Sequence, residues 1–175
     1  MNELVEKAKN IKCVICDVDG VLTDGLLYLD NFGNELKSFH VHDGVGLKLL
    51  MAAGIEVAVI TTSQNAVIDH RMRQLGIIHY LKVPVEKQMA YEKLKATLGL
   101  QDEDFAYIGD DFPDLPIIKR VGFGVAVANA IEQVKKIALW QTQSTGGRGA
   151  VRELCNFILD AQDKLDVALK RYLKL

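Results

Sequence analysis

Short apolar runs alternate with longer stretches of helical period along most of the chain. Continuous apolar runs of strand length are typical of strands buried on both faces, and apolar positions three and four apart are typical of amphipathic helices. The alternation predicts an α/β fold, a doubly wound parallel sheet with right-handed crossovers. The predicted strands are residues 11–16, 55–60, 77–81, 104–108, 121–130 and 137–142.

Helix boundaries follow from capping residues and prolines between these strands. Asp43 is the expected N-cap of the helix after the first strand, and Ser63 or Asn65 is the expected N-cap of the next one. Pro84 is expected in the first turn of a further helix, where proline is tolerated. The interpretation is a single domain over residues 1–175 that ends in a loop and one long helix over about residues 144–175.

One segment interrupts the strand and helix alternation. Residues 26–41 contain two apolar stretches around a turn rich in Asn, Asp and Gly, a pattern typical of a β-hairpin. The segment is too short for a separate domain, so we expect a small hairpin insertion that cannot by itself cover an active site.

Two carboxylates follow the first strand directly. Asp17 and Asp19 are two residues apart and therefore share a face if the chain stays extended. Ligands in open α/β sheets bind beyond the carboxyl ends of the strands. A hard divalent cation such as Mg²⁺ would offset the repulsion between the two charges and attract an anion. The alternative is that these residues only cap a helix or solvate a turn.

Further polar side chains follow later strands or precede a helix. Thr61 ends the second strand, and Lys87 lies at the start of the helix after the third, with Lys82 and Lys93 as nearby alternatives. Taken alone, such a threonine is usually a cap and such a lysine is usually solvated. A second acidic group, Asp110, Asp111 and Asp114, follows the fourth strand.

Composition and charge exclude several classes of function. The 175 residues are 49% hydrophobic and 25% charged, which suits one globular domain. A net charge of -2 and no concentrated Lys/Arg stripe argue against nucleic acid as a partner. No apolar stretch reaches the ~18 residues of a spanning helix, so we expect no membrane partner and a cytoplasmic protein.

Cysteine and histidine pairs are weak candidates for metal ligands. Cys13 and Cys16 lie on one strand without a second pair, and together with Cys155 they are interpreted as buried small hydrophobes. His40 and His42 could share a face, yet no third ligand stands at a recognisable spacing, so both are interpreted as surface or interface residues.

The motif Asp-Val-Asp-Gly-Val-Leu-Thr-Asp-Gly resembles the first motif of the haloacid dehalogenase superfamily of phosphatases, and three further motifs follow in order. The resemblance implies a haloacid dehalogenase-like, Rossmann-like domain without a cap domain. It also implies a nucleophile at Asp17, a general acid and base at Asp19, and Mg²⁺ bound by Asp17, Asp19 and Asp110. The other implied roles are a phosphoryl contact at Thr61, charge neutralisation at Lys87, and support from Asp111 and Asp114.

Within the superfamily, the short hairpin, the Phe39 to Gly46 segment and Gly-Gly-Arg-Gly-Ala-Val-Arg-Glu resemble the phosphatases of 3-deoxy-D-manno-octulosonate 8-phosphate, a lipopolysaccharide precursor. That resemblance implies a homotetramer in which hairpins associate and a neighbour's C-terminal segment covers the active site. Arg148 would then contact the substrate across a subunit boundary, with His42 and Thr62 as further implied substrate contacts.

Two positions depart from that pattern. Thr62 and Ser63 replace a Gly-Arg pair, and His42 replaces an Arg. Losing a bidentate Arg–carboxylate contact of ~1.5–3 kcal/mol lowers affinity ~10- to 100-fold unless His42, Lys82 or Arg148 compensates. Two alternatives therefore stay open. One is a phosphatase of another sugar phosphate, such as a nonulosonate 9-phosphate, and the other is a non-catalytic oligomeric scaffold or regulatory module.

Overall fold

The computed structural model describes residues 2–173. Eight helices and eight strands make up this part of the chain, together with short one-turn segments. The helices are α1 (Asn2–Lys9), α2 (Val41–Ala52), α3 (Ala66–Leu75), α4 (Lys87–Leu98), α5 (Leu115–Ile118), α6 (Glu132–Ile137), α7 (Ala150–Ala161) and α8 (Leu165–Leu173). The strands are β1 (Cys13–Cys16), β2 (Tyr28–Leu29), β3 (Glu35–Leu36), β4 (Glu56–Thr61), β5 (His79–Lys82), β6 (Phe105–Gly109), β7 (Phe123–Ala126) and β8 (Trp140–Gln141).

Six of these strands form one parallel sheet in the order β5-β4-β1-β6-β7-β8. The strand order reverses between β1 and β6, because the chain moves outward through β4 and β5 and then returns to the other side of β1. Such a reversal opens a crevice at the carboxyl ends of the two central strands. The predicted doubly wound parallel sheet is confirmed.

The core lies on both faces of the sheet, as expected from the continuous apolar strands. All residues of β1, β6 and β7 are buried, and α1, α2 and α7 pack together as one cluster of helices while α4, α5 and α6 form another. Cys13, Cys16 and Cys155 are free thiols within this core, as the sequence indicates.

The insertion after β1 is a two-stranded antiparallel hairpin. Tyr28 pairs with Leu36 and Leu29 pairs with Glu35. The Asp30 carboxylate accepts hydrogen bonds from the backbone amides of Phe32 and Asn34, which closes the turn. The predicted hairpin is therefore present, with only two paired residues in each strand.

Two predicted strands are shorter in the structure. The strand expected over residues 121–130 is limited to Phe123–Ala126, because its partner β6 ends at Gly109 and can offer no further ladder. The strand expected over residues 137–142 is limited to Trp140–Gln141, since Ile137 still belongs to α6.

Two helix starts were predicted at the wrong residues. Helix α2 begins at Val41, so Asp43 lies in its first turn, and the Asp43 carboxylate instead accepts a hydrogen bond from the backbone amide of Arg152 in α7, at 2.8 Å. Helix α4 begins only at Lys87, because the Val83 amide still bonds to the Thr61 carbonyl at 2.9 Å and keeps the chain beside β4 as far as Val83.

The predicted long C-terminal helix is divided into α7 and α8. Asp163 adopts a left-handed backbone with φ of 55°, which ends α7. The Gln162 side chain donates to the carbonyls of Ala8 and Ile11, at 3.0 and 2.8 Å, and thereby fixes this break against the end of α1. No helix in residues 2–173 combines the length and the apolar character needed to span a membrane.

Candidate active site

The turn after β1 presents both carboxylates of the first motif. The Asp17 amide still bonds to the Ile108 carbonyl of β6 at 3.1 Å, so Asp17 is fixed at the end of the sheet. Residues 18–22 form one wide turn that is closed by the Thr23 amide on the Val18 carbonyl at 3.0 Å. The Asp17 side chain is buried and the Asp19 side chain is partly exposed at the mouth of the crevice.

Gly20 in this turn allows the second acidic motif to approach. Its φ is +84°, a left-handed backbone conformation that residues other than glycine rarely adopt. A Cβ atom at this position would lie 2.0 Å from the Asp110 carboxylate. The absence of a side chain at Gly20 therefore lets the Asp110 carboxylate pack directly against the backbone of the first motif.

Lys87 is the lysine that reaches the nucleophile position. Its side chain is almost fully buried, and its Nζ lies 2.6 Å from Asp17 Oδ1 and 2.8 Å from Asp114 Oδ1. The alternatives lie elsewhere, since Lys82 pairs with Asp69 at 2.6 Å and Lys93 is exposed. Burial disfavours the ammonium ion, but the two carboxylates outweigh it and the Lys87 pKa lies above its ordinary value.

Asp114 is saturated with hydrogen bonds from its own surroundings. Its Oδ1 accepts from Lys87 and from the Tyr107 hydroxyl at 2.7 Å, and its Oδ2 accepts from the backbone amides of Asp110 and Asp111 at 2.9 and 3.3 Å. A carboxylate has about four acceptor positions, and all are used. Asp114 therefore orients Lys87 and the Asp110 loop, a supporting role.

Asp110 has the opposite character. No hydrogen bond from residues 2–173 reaches its carboxylate, although the residue is only partly exposed. Burial, followed by the neighbouring charge of Asp114, raises the Asp110 pKa to about 7. Burial and Asp114 also raise the pKa of Asp17. A carboxylate without partners beside other carboxylates is an arrangement that a bound cation stabilises.

These groups fit a magnesium ion. One oxygen each from Asp17, Asp110 and Asp114 lie within 4.8 Å of one another. Since Asp114 is saturated, Asp17 and Asp110 are the side chains free to bind a hard cation, which prefers oxygen ligands. Two members of the acidic cluster, Asp17 and Asp110, are among the predicted ligands, and Asp19, through its carbonyl, stays a predicted third ligand.

A cavity of about 250 Å³ opens over this cluster at the point where the strand order reverses. Five carboxylates and a single ammonium group line it, so a phosphate dianion would be repelled without a divalent cation. The lining residues are Asp17, Asp19, Gly20, Gly25, Thr62, Lys87, Asp110, Asp111, Pro113 and Asp114.

A larger cavity, of about 530 Å³, lies at the opposite end of the sheet. It is bordered by residues that precede β1, β4 and β6, among them Lys12, whose Nζ lies 2.9 Å from Asp104. Substrates of open α/β sheets bind at the carboxyl ends of the strands, so the smaller acidic cavity is the candidate active site.

The remaining predicted contacts lie around the acidic cavity or away from it. The Thr61 side chain is buried at the end of β4 and its hydroxyl accepts from the Ser63 amide at 3.1 Å, whereas Thr62 lines the cavity. His42 is exposed and its ring lies 4.9 Å from that of His40. Arg148 is exposed, with its guanidinium 3.9 Å from the Asp24 carboxylate.

Sequence reasoning missed three residues that shape the site. The Tyr107 hydroxyl anchors Asp114, the Gly146 backbone packs on the Gly20 carbonyl, and the Lys37 side chain binds the Asp19 carboxylate at 2.5 Å. Tyr107 has the pattern of an ordinary apolar strand residue, and Lys37 lies in a polar hairpin far along the chain from Asp19. The only sequence signal for the contact of Lys37 with Asp19 was a lysine at the end of a hairpin that follows the first motif.

Comparison with known proteins identifies the family. Residues 61–154 match the haloacid dehalogenase-like hydrolase family. A 3-deoxy-D-manno-octulosonate 8-phosphate phosphatase from Yersinia pestis is 47% identical over 167 residues, which cover 95% of this chain and 89% of that protein. The chain belongs to the haloacid dehalogenase-like hydrolases.

Solved structures agree with this assignment. A structure from Legionella pneumophila assigned to subfamily III A of these hydrolases is 70% identical, with a TM-score of 0.97 over 100% of this chain and 96% of that one. A 3-deoxy-D-manno-octulosonate 8-phosphate phosphatase from Moraxella catarrhalis, solved with magnesium, phosphate and the sugar acid, is 42% identical. Its TM-score is 0.95 over 98% of this chain and 99% of that one. The predictions of the family, a phosphatase and magnesium use are confirmed.

Proposed function

We propose that the protein is a magnesium-dependent phosphatase whose substrate is 3-deoxy-D-manno-octulosonate 8-phosphate. The observation that supports the chemistry is the Asp17 carboxylate, which lies 2.6 Å from the buried Lys87 ammonium. Beside it lies the Asp110 carboxylate, which accepts no hydrogen bond from residues 2–173. The substrate is supported by relatives of that name at 44–47% identity over about 95% of the chain.

The proposed reaction has two displacements at phosphorus. An Asp17 carboxylate oxygen attacks the phosphorus atom, the bond to the sugar oxygen breaks, and Asp19 gives its proton to the leaving alkoxide. Asp19 then removes a proton from water, the water oxygen attacks phosphorus, and the bond to the Asp17 oxygen breaks. Phosphate and the free sugar acid are the products, and both aspartates return to their starting state.

The surrounding residues stabilise charge during both steps. Lys87 offsets the negative charge of Asp17 and of the transferring group, while Asp114 keeps Lys87 in position. The Thr61 or Thr62 hydroxyl donates to a phosphoryl oxygen. Mg²⁺ bound by Asp17, Asp110 and the Asp19 carbonyl would supply the positive charge that lets a phosphate dianion enter this acidic cavity.

Oligomerisation is the second part of the proposal. We define the hairpin surface as Leu26, Leu27, Leu29, Phe32 and Leu36, all exposed, with Phe32 at 90%. An apolar surface of this kind on a small hairpin is typical of a protein interface, and a two-stranded hairpin is marginal when isolated. A second copy of this chain is the proposed occupant, in the homotetramer that the sequence resemblance implies.

The tetramer would also complete the substrate site. Arg148 and His42 are exposed in the single chain, so both are available to a neighbouring subunit or to its substrate. Either residue would then compensate for the Arg that Ser63 replaces. The cytoplasmic location stays a prediction from the sequence.

The test is phosphate release across a substrate panel. The panel contains 3-deoxy-D-manno-octulosonate 8-phosphate, nonulosonate 9-phosphates and hexose phosphates, each with Mg²⁺ or with EDTA. We expect the highest kcat/KM on the octulosonate and no turnover in EDTA or by Asp17→Asn. Preference for a nonulosonate would assign Ser63 and His42 to a changed specificity, and no turnover of any substrate would favour the scaffold alternative.

A further inference from the structure

The hairpin inserted after β1 sends one side chain back to the first motif of its own chain. Lys37 follows β3, and its Nζ lies 2.5 Å from Asp19 Oδ1 and 2.6 Å from Glu35 Oε1. Only 4% of the Lys37 side chain is exposed, compared with 43% of the Asp19 side chain. A lysine this deeply buried is uncommon unless it is paired, and here both partners are carboxylates.

The ion pair is the only side-chain hydrogen bond that Asp19 makes within residues 2–173. A partly exposed aspartate would otherwise sample several rotamers, and fixing one of them costs conformational entropy. The Lys37 ammonium supplies that restraint from the protein side of the crevice.

Lys37 is itself held in place from the hairpin and from the loop after β4. Glu35 binds the ammonium on one side, and the Glu35 carbonyl accepts a hydrogen bond from the Asn65 side chain at 3.4 Å. Asn65 also caps α3 through the Val67 amide at 2.9 Å. The base of the hairpin is therefore tied to the loop that carries Thr61 and Thr62.

We infer that Lys37 is a positioning residue that holds the Asp19 carboxylate in the place from which it exchanges protons with the leaving oxygen and with water. The inference rests on the proposed phosphatase function and deepens it. It gives the hairpin a role within its own subunit, in addition to its exposed apolar surface.

The first test separates the two chemical steps. An aryl phosphate with a 4-nitrophenolate leaving group needs no proton for the first step, whereas hydrolysis of the aspartyl-phosphate still needs Asp19 as a base. Lys37→Met should keep the burst of 4-nitrophenol and lower kcat ~10- to 100-fold, with kcat/KM changed less than ~3-fold because only the second step is slowed. Lys37→Arg, which keeps the charge, should restore most of the rate. Lys93→Met on the exposed face of α4 is the matched control and should behave as wild type.

The second test is a double-mutant cycle. If Lys37 acts only through Asp19, the variant Asp19→Asn/Lys37→Met should be no slower than Asp19→Asn alone, because residues that act as a unit are non-additive. Removing the ammonium leaves Glu35 unpaired, so Glu35→Gln/Lys37→Met provides a second variant if Lys37→Met folds poorly; it should show the same kinetic pattern.

Several results would overturn the inference. Multiplying losses in the double variant would mean that Lys37 acts independently of Asp19, and a raised KM at unchanged kcat would make Lys37 a substrate contact. A Lys37→Met protein with wild-type kinetics would mean that the ion pair has no catalytic role. Absence of Mg²⁺-dependent turnover in the wild-type protein is a different result, because it contradicts the proposed function itself.

Discussion

At the scale of residues, four of the five carboxylates that line the crevice have clearly different surroundings. Asp114 is saturated by Lys87, Tyr107 and two backbone amides, whereas Asp110 accepts no hydrogen bond from the described part of the chain. Asp17 shares Lys87 with Asp114, and Asp19 pairs with Lys37 outside the buried cluster. In the proposed function, the same residue type therefore provides a support, a metal ligand, a nucleophile and a proton carrier.

We predict that Asp110 makes stability depend on pH and on Mg²⁺ together. Its pKa of about 7 in the folded protein lies above the unfolded value, so between about pH 4 and pH 7 the folded state holds a proton that the unfolded state has released. Without metal, this contribution to stability is lost as pH rises through that window. Mg²⁺ removes the penalty, so the rise in Tm caused by Mg²⁺ should be larger near pH 8 than near pH 5.5.

Thermal unfolding of Asp110→Asn provides the control for this prediction. The variant should melt higher than wild type in EDTA near pH 8 and should gain no stability from Mg²⁺. Asp160→Asn, which changes an exposed carboxylate on α7, should keep the wild-type response. A Mg²⁺ effect on Tm that is independent of pH, or that persists in Asp110→Asn, would contradict the assignment of Asp110 as a ligand.

Tyr107 and Tyr91 form a matched pair for testing the support of Asp114. Both are fully buried, and their hydroxyls donate to Asp114 at 2.7 Å and to Asp102 at 2.8 Å, respectively. Each Tyr→Phe change should lower the free energy of unfolding by ~1.5–3 kcal/mol, because one hydrogen bond to a carboxylate is lost. Only Tyr107→Phe should also lower kcat, since Asp114 positions Lys87. Equal kinetics in the two variants would show that Asp114 does not depend on Tyr107.

At the scale of elements, the C-terminal loop before α7 is a part of the catalytic scaffold. The Gly147 amide bonds to the Val21 carbonyl at 2.8 Å, and the Gly146 amide bonds to the Asn129 side chain at 2.8 Å. A Cβ atom on Gly146 would lie 1.7 Å from the Gly20 carbonyl oxygen. The loop therefore packs against the turn that carries Asp19 and supports it.

Replacing Gly146 tests this packing. Gly146→Ala should destabilise the protein by ~3 kcal/mol or more and lower kcat, because the new methyl group displaces the turn. Gly54→Ala is the control, since its φ is +77° but a Cβ atom at this position would have no neighbouring atom within 4 Å. That variant should cost only ~1 kcal/mol and leave kcat unchanged. Similar kinetics for the two variants would contradict the buttressing role.

The elements that the sequence predicted correctly are those governed by local rules. The buried strand before Asp17 was visible in its apolar run, and Asn65, one of the two expected N-caps, caps α3. The errors arose where distant contacts decided the outcome. Asp43 was expected as a cap, but it bonds instead to Arg152, which lies 109 residues further along the chain.

In the candidate site as well, residues governed by local rules could be predicted and residues placed by distant contacts could not. The residues of the motifs lie at strand ends, so topology brings Asp17 and Asp110 together on adjacent strands, β1 and β6. Lys37 and Tyr107 could not be predicted, because their roles depend on how a hairpin folds back and on which neighbour a strand residue faces.

At the scale of the whole molecule, the proposed tetramer depends on the hairpin surface. Leu29→Ser/Phe32→Ser should reduce the molar mass in solution from that of four chains to that of one or two, because the interface loses its apolar contacts. Ile78→Ser, at a residue that is 81% exposed between α3 and β5, is the control and should keep the wild-type mass. Light scattering coupled to gel filtration measures this, and a wild-type monomer would contradict the proposed tetramer.

Detection of a phosphoryl group on Asp17 is the most direct test of the account. Asp19→Asn should slow hydrolysis of the aspartyl-phosphate, so mixing this variant with Mg²⁺ and an aryl phosphate and quenching in acid should trap the intermediate. Mass spectrometry should then find one phosphoryl group per chain, on the peptide that contains Asp17, and none in EDTA or in Asp17→Asn/Asp19→Asn. Turnover by the wild-type protein with no phosphoryl group on Asp17 under any quench condition, or with the group on another residue, would contradict nucleophilic catalysis by Asp17.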